Sequence, residues 1–369
     1  MGNFPIWVHP GCPEDDYRQC NYTINDRATL RVNDSTIAYP GYFAINITNG
    51  VRAEMTTTQH VALYRFTLPS AVNASYKTFR YQYGGKHPHL DEFNVTVPNS
   101  PLLLVDLTDI SMTRSDGGLQ VYPSTGRIIG DGEYAPSFGQ GRYRAYFCLD
   151  TSTGAAALRR SGTFWGEVAD EEPKFIADTS PSADNPTGNV GGWLQFARPA
   201  SGELLVRVGL SFMSVDQACQ NAEAEVPDFD FDGVVEAAQD AWRDKLGAIQ
   251  VDGAGVSDEQ QMVFWSGLYR SLLSPQNYTG ENPLWNSTEP YFDSFYCIWD
   301  SYRAQHPLIT IVDPVAQAQM IRTMLDVYRF EGRLRWTLVS TVADGEYRQA
   351  SRLQDELLQG VHAGALAEP

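Results

Sequence analysis

The chain has 369 residues, with 45 acidic against 27 basic side chains and a net charge of −18. That charge argues against nucleic acid and against anionic membrane surfaces, both of which are bound through clustered Lys and Arg. With 43% hydrophobic residues a sizeable core can form, and two domains are expected rather than one. Neutral ligands remain open. Aromatic residues make up 12% of the chain and could act as stacking platforms for sugars, although most rings of this kind serve cores.

In chain order, Cys12 and Cys20 come first. They bracket a short polar stretch carrying Pro and Gly and are predicted to form a local disulfide, whereas Cys148, Cys219 and Cys297 cannot be paired from the sequence. Asn-x-Ser/Thr acceptor sites stand at Asn21, Asn33, Asn46, Asn73, Asn94, Asn277 and Asn286. Five of them within the first hundred residues predict a secreted glycoprotein. The opening Met-Gly-Asn-Phe-Pro-Ile-Trp has neither the basic nor the apolar region of a signal peptide, and no run approaches a membrane-spanning length. The expectation is a secreted chain, without membrane attachment, read without its signal.

To about residue 225 the pattern is one of short apolar segments separated by Gly, Pro, Asn and Asp, as in an antiparallel sheet protein. Leu204, Val206, Val208, Leu210 and Phe212 alternate most clearly; Val61 to Leu68, Leu102 to Leu107 and Tyr143 to Leu149 are similar. Turns are predicted at Asp116-Gly117-Gly118, Gly130-Asp131-Gly132 and Gly191-Gly192. A β-sandwich over residues 1–228 is expected.

The period then becomes helical. Val234, Val235, Ala238, Trp242 and Leu246 share one face, with Gly247 placed to close the helix, so 229–256 reads as a helical linker. Ser257 to Gln260 forms a capping box ahead of an apolar stripe of Met262, Val263, Trp265, Leu268, Tyr269, Leu272 and Leu273. Asp313-Pro314 starts a further helix whose stripe is Ala318, Ile321, Met324, Leu325 and Tyr328, and Gly332 stops it. A helical domain over 257–336 follows, and 337–369, poor in large apolar residues, reads as a divergent, weakly structured tail.

The densest chemistry lies in Phe295 to Pro307. Asp300 as acceptor, Arg303 as donor and Trp299 as an apolar wall could grip adjacent sugar hydroxyls. The plainer alternative is an ion pair between Asp300 and Arg303, three residues apart at a helix start. His87-Pro88-His89-Leu90-Asp91-Glu92 has a metal-like composition but reads as a solvated loop, and a structural zinc site would want four spaced ligands. Glu54, beside Thr56 to Thr58, reads as structural. Glu167, Asp170, Glu171 and Glu172 read as a hydrated face. Neither a phosphate loop after a strand nor a Gly-x-Ser-x-Gly elbow occurs, which disfavours nucleotide enzymes and serine esterases.

Pro40 to Ala44, Ala53 to His60 followed by Leu63 to Phe66, and above all Ile298-Trp299-Asp300-Ser301-Tyr302-Arg303-Ala304-Gln305-His306-Pro307-Leu308 with Met324 to Tyr328 resemble glycoside hydrolase family 92. The resemblance covers roughly residues 1–334 and is nearest to secreted fungal α-1,2-mannosidases. It implies an N-terminal β-sandwich, linking helices and the beginning of an (α/α)6 barrel. It also implies a calcium-dependent exo-α-mannosidase that inverts the anomeric centre and acts on terminal α-mannosides of glycans or glycoproteins. By that resemblance Asp300 holds hydroxyls of the terminal mannose, with Trp299 and Arg303 around it.

The same resemblance implies that the catalytic acid, the base and most calcium ligands lie downstream of this motif. After Leu334 the chain runs Arg335-Trp336-Thr337, where the family pattern has Pro, Trp and a Gly-rich stretch, and it starts at what resembles an interior position of the family sandwich. The chain is therefore expected to be an incomplete member with little or no activity. Two alternatives stand beside this reading: a non-catalytic glycan-binding or interaction module built on the sandwich, and another inverting barrel hydrolase or glycan phosphorylase.

Overall fold

Leu102-Leu103-Leu104-Val105 is a continuous apolar run, and a strand with that pattern needs cover on both faces. In the computed structural model it has it. The structure describes residues 3–69, 100–108, 112–136, 142–154, 156–177, 188–295 and 298–332, and of 73–80, 89–96 and Trp299 the backbone alone. The chain divides into two compact units, Met1–Ala135 with Tyr143–Trp242, and Pro136–Arg142 with Arg243–Pro369.

The strands of the first unit are β1 (Ile6–His9), β2 (Ile37–Tyr39), β3 (Tyr42–Asn46), β4 (Arg52–Thr57), β5 (Val61–Thr67), β6 (Asn73–Arg80), β7 (His89–Thr96) and β8 (Leu102–Asp106). They continue as β9 (Asp116–Tyr122), β10 (Arg127–Tyr134), β11 (Tyr143–Thr151), β12 (Leu158–Trp165), β13 (Val168–Asp170), β14 (Phe175–Ile176), β15 (Val190–Phe196) and β16 (Glu203–Ser211). Five form one sheet in the order β1-β8-β15-β12-β13, and nine form a second in the order β14-β9-β10-β11-β16-β5-β4-β3-β2. Strands β6 and β7 pair only with each other among the described residues.

The main core lies between the two large sheets, where Leu103, Val105, Leu194 and Phe196 meet Val121, Ile128, Phe147, Leu149, Val206 and Val208. Because side chains alternate along a strand, Leu102 and Leu104 point the other way. They pack with Trp193 and Phe164 under Tyr17, Tyr22 and the Cys12–Cys20 disulfide. The mainly β architecture is as the sequence predicts. The three turns predicted at glycines are not there. Gly117, Gly130 and Gly191 sit inside β9, β10 and β15. A Cβ on Gly130 would run into the Gly118 carbonyl, and one on Gly191 into the Val105 carbonyl. These glycines permit close strand approach.

Seven α-helices are described: α1 (Ile24–Arg27), α2 (Val215–Glu225), α3 (Phe231–Leu246), α4 (Asp258–Ser271), α5 (Ile298–Ser301), α6 (Gln305–Val312) and α7 (Pro314–Glu331). Helix α2 falls inside the region read as pure sandwich. Its buried residues are only Ala218, Asn221 and Ala222, too small a signal to read as a helical stripe. The Cys148–Cys219 disulfide fixes it to β11. In α3 the predicted stripe is the half-buried one, and α4 begins with the predicted capping box at Ser257. The α7 prediction holds at both ends, with Asp313 as N-cap and Gly332 at φ 68°, but not along its face. Its buried residues are Gln317, Met320, Thr323, Asp326 and Val327, whereas Ala318, Leu325 and Tyr328 are exposed. Of the α4 stripe only Leu268 is buried.

Candidate functional site

The segment carrying Trp299, Asp300 and Arg303 belongs to the second unit and is pinned at both ends. Ahead of it, the short strands β17 (Gln276–Asn277) and β18 (Phe292–Asp293) pair. The Thr323 hydroxyl donates to the Pro290 carbonyl at 2.8 Å and accepts from the Phe292 amide at 3.2 Å. The Ser274 hydroxyl donates to the Ser294 carbonyl at 2.9 Å. Behind it, the Gln305 amide donates to the carbonyls of Ser271 (3.0 Å) and Ser274 (2.6 Å). Buried His306 meets Gln317 of α7 through Nδ1 at 3.1 Å, and burial holds its imidazole below the usual histidine value. Phe292, Phe295, Ile298, Ile309 and Met320 form the apolar cluster beneath.

On that support Asp300 and Arg303 are both exposed. The ion pair that spacing allows between them is not made: the link is a backbone one, the Arg303 amide to the Asp300 carbonyl at 3.4 Å. The guanidinium instead lies over the Tyr302 ring, 5.6 Å from its centroid. An exposed carboxylate and an exposed guanidinium on one turn can accept from and donate to neighbouring hydroxyls. Of Trp299 the described part is its backbone, within α5.

Asp293 has no counterpart in the sequence reading. It is buried, its carboxylate accepts the Ser294 amide at 2.5 Å, and Ser294 takes a left-handed φ of 66°. Burial pushes this carboxyl above the usual aspartate value. No periodicity in the sequence marks it.

In the first unit Glu54 is structural. Its carboxylate takes two bonds from Arg65, both 3.0 Å, and one from the Tyr42 hydroxyl at 2.6 Å. Burial alone would raise its pKa, but the bonds from Arg65 and Tyr42 overcome this and hold it below the usual range. A second clamp, not foreseen, joins Glu225 of α2 to the β4–β5 turn: Glu225 accepts from the Thr58 hydroxyl at 2.5 Å and the His60 amide at 2.9 Å, and pairs with His60 Nδ1 at 2.5 Å. Of the acidic run Glu167, Asp170 and Glu172 are exposed and Glu171 is half-buried, with loose pairs from Arg160 to Glu171 and from Lys174 to Glu172, both 3.8 Å.

Among the acceptor asparagines, Asn33, Asn277 and Asn286 are exposed. Asn21 is half-buried and donates to the Asp26 carbonyl at 2.8 Å, and Asn46 accepts from Arg52 at 3.2 Å. Asn73 and Asn94 lie in β6 and β7, and their side chains are outside the described residues, as are those of His87, His89, Asp91, Glu92 and Cys297. The tail 337–369 is outside them too. Among the described residues there is no group of three or more His, Cys, Asp or Glu able to hold a metal, so these residues do not fit a calcium site. No described helix is long and apolar enough to cross a membrane.

Family models cover both units. The glycosyl hydrolase family 92 N-terminal domain matches residues 1–211, and the family 92 catalytic domain matches 217–365. The chain belongs to glycosyl hydrolase family 92. The catalytic-domain match extends past residue 336, where the sequence reading set its tail apart. An uncharacterized secreted glycosidase of Arthroderma benhamiae is 43% identical over 309 residues, 83% of this chain and 37% of that protein. The inverting family 92 mannosidase BT2199 of Bacteroides thetaiotaomicron shares the fold, with a TM-score of 0.69 at 20% identity over 91% of this chain and 40% of its own. The α-mannosidase BT3965 of the same organism, solved with mannoimidazole, gives 0.66 at 18% identity over 89% and 40%. The chain thus spans about two fifths of the length of these relatives.

Proposed function

We propose that this chain is part of a secreted exo-α-mannosidase that hydrolyses α-1,2-linked mannosides with inversion, and that Asp300, Arg303 and Trp299 bind the terminal mannose. The single observation carrying the assignment is the pinned 292–306 segment, which leaves Asp300 and Arg303 exposed and unpaired with each other. Family membership and the mannosidases among the solved relatives support the substrate class. Helices α4, α6 and α7 are, in this reading, the opening of an (α/α)6 barrel. Calcium, which the family resemblance implies, would need ligands beyond the described residues, so no step is assigned to it.

Inversion requires one carboxylic acid to protonate the leaving oxygen and one carboxylate to activate water on the opposite face. Asp300 is assigned to neither role, because it is proposed to hold hydroxyls of the terminal mannose. The 369 residues alone are proposed to release little or no mannose. Titrating the chain and Asp300→Asn with α-1,2-mannobiose, by calorimetry and by assay of free mannose, tests this. Binding that Asp300→Asn abolishes supports the assignment. Robust calcium-dependent mannose release would overturn the inactivity, and binding indifferent to the substitution would move the site to the sandwich.

A further inference from the structure

Strand β2 ends the nine-stranded sheet with Ile37 and Tyr39 44% and 46% exposed, and the segment ahead of its turn adds Leu30 and Val32, 43% and 42% exposed, to an apolar strip. An open, apolar edge strand invites pairing with another copy, and proteins protect such edges. The turn that feeds this edge contains one of the acceptor sites. The Ser35 amide donates to the Val32 carbonyl at 3.3 Å and the Ser35 hydroxyl to the same carbonyl at 2.7 Å, which puts Asn33 and Asp34 at the tip, Asp34 with φ 58°. Asn33 is exposed, and its side-chain amide bonds no other group. Asn21, by contrast, is half-buried and spends its Nδ2 on the Asp26 carbonyl, and half-buried Asn46 accepts from Arg52 through its Oδ1.

We infer that Asn33 carries an N-linked glycan and that this glycan covers the β2 edge. The step transfers an oligosaccharide from a lipid diphosphate donor. A bond forms between Asn33 Nδ2 and the anomeric carbon, the bond from that carbon to the diphosphate oxygen breaks, Nδ2 gives up one proton, and the lipid diphosphate leaves. The amide keeps one N–H and the turn is undisturbed, because none of its hydrogen bonds uses the Asn33 side chain. Ile37 lies four residue steps from Asn33, at most about 13 Å along an extended chain, so a bulky, solvated glycan at the tip overlies the strip. The inference rests on the secretory reading above.

The test is the full chain secreted from a glycosylating eukaryotic host, with glycan release in heavy-oxygen water followed by peptide mass spectrometry. Conversion of Asn33 to labelled Asp is expected. Conversion at Asn277 or Asn286 with Asn33 untouched overturns the inference while leaving the secretory reading intact, and no conversion anywhere overturns both. For the cover, Asn33→Gln is expected to shift the chain towards dimers and larger species in sedimentation, by at least tenfold in association constant. Adding Ile37→Lys should restore the monomer, and Ser35→Thr, which keeps the acceptor, should stay monomeric. A monomeric Asn33→Gln, or association that Ile37→Lys does not reverse, overturns the covering role.

Discussion

The two units handle apolar surface differently. The sandwich buries both faces of β8 and β15, and its large core side chains are fully covered. The helical unit has one small cluster around Phe292 and Ile309, and it exposes Met262 (70%), Val263 (73%), Ile311 (80%) and Val315 (67%). Single exposed apolar side chains are ordinary on a folded surface, and here they are spread over α4, α6 and α7. The sandwich thus encloses a large core although its surface also exposes Val168 and Phe175, while the described helices share a small cluster. The candidate segment is held there by hydrogen bonds with Thr323, Ser274 and Gln305 as well as by that cluster.

The largest effect that would break this contrast is in the sandwich. Trp193 is fully buried, stacks on Tyr17 at 4.5 Å and donates its indole N–H to the Thr163 carbonyl at 3.1 Å. Trp193→Ala should cost about 3–5 kcal/mol, read as loss of the sandwich's denaturation transition to lower urea, with the helical unit's transition unmoved. A common shift of both would mean the units do not unfold separately. A smaller effect is expected in the helical unit. Asp313 caps α7 through the Ala316 amide at 3.1 Å and pairs with Lys245 at 2.8 Å. Asp313→Ala should cost about 1 kcal/mol, visible as earlier helix loss by far-ultraviolet dichroism.

The subtlest prediction concerns pH, through one carboxylate in each unit, Glu54 and Asp293, shifted in opposite directions. Glu54 is held below its ordinary value when folded, so its stabilisation is present above that value and is lost as pH falls through the folded one. Asp293 is raised by burial, so its contribution is present below the ordinary aspartate value and is lost as pH rises through the folded one. Glu54→Gln should flatten the acid limb of the sandwich's stability curve. Asp293→Asn should raise the helical unit's stability at neutral pH and flatten its decline. Denaturation at a series of pH values reads both, and parallel curves for wild type and variants would refute the assignments.

How far the sequence could be read follows from the same difference. Alternation at Leu204, Val206 and Val208 is visible because one face meets a core. The caps at Ser257 and Asp313 are visible because they are local bonds between near neighbours. The stripe of α7 misleads because it assumes the apolar face is the buried one. Here Gln317, Thr323 and Asp326 are buried instead, held by His306, Pro290 and the Trp285 indole. Asp293 and the Glu225 clamp carry no pattern at all.

The sequence alone determined the order of sheets then helices, the ends of the main helices, the Cys12–Cys20 neighbourhood and the Trp299-Asp300 motif. Each depends on residues close in the chain or on a period that local geometry imposes. Tertiary structure alone decided that three glycine pairs lie within strands, that Cys148 reaches Cys219, that Asp300 and Arg303 stay apart, and that β2 is an open edge beside Asn33. Those are facts of approach between distant segments, and approach is set by packing, which no local period records.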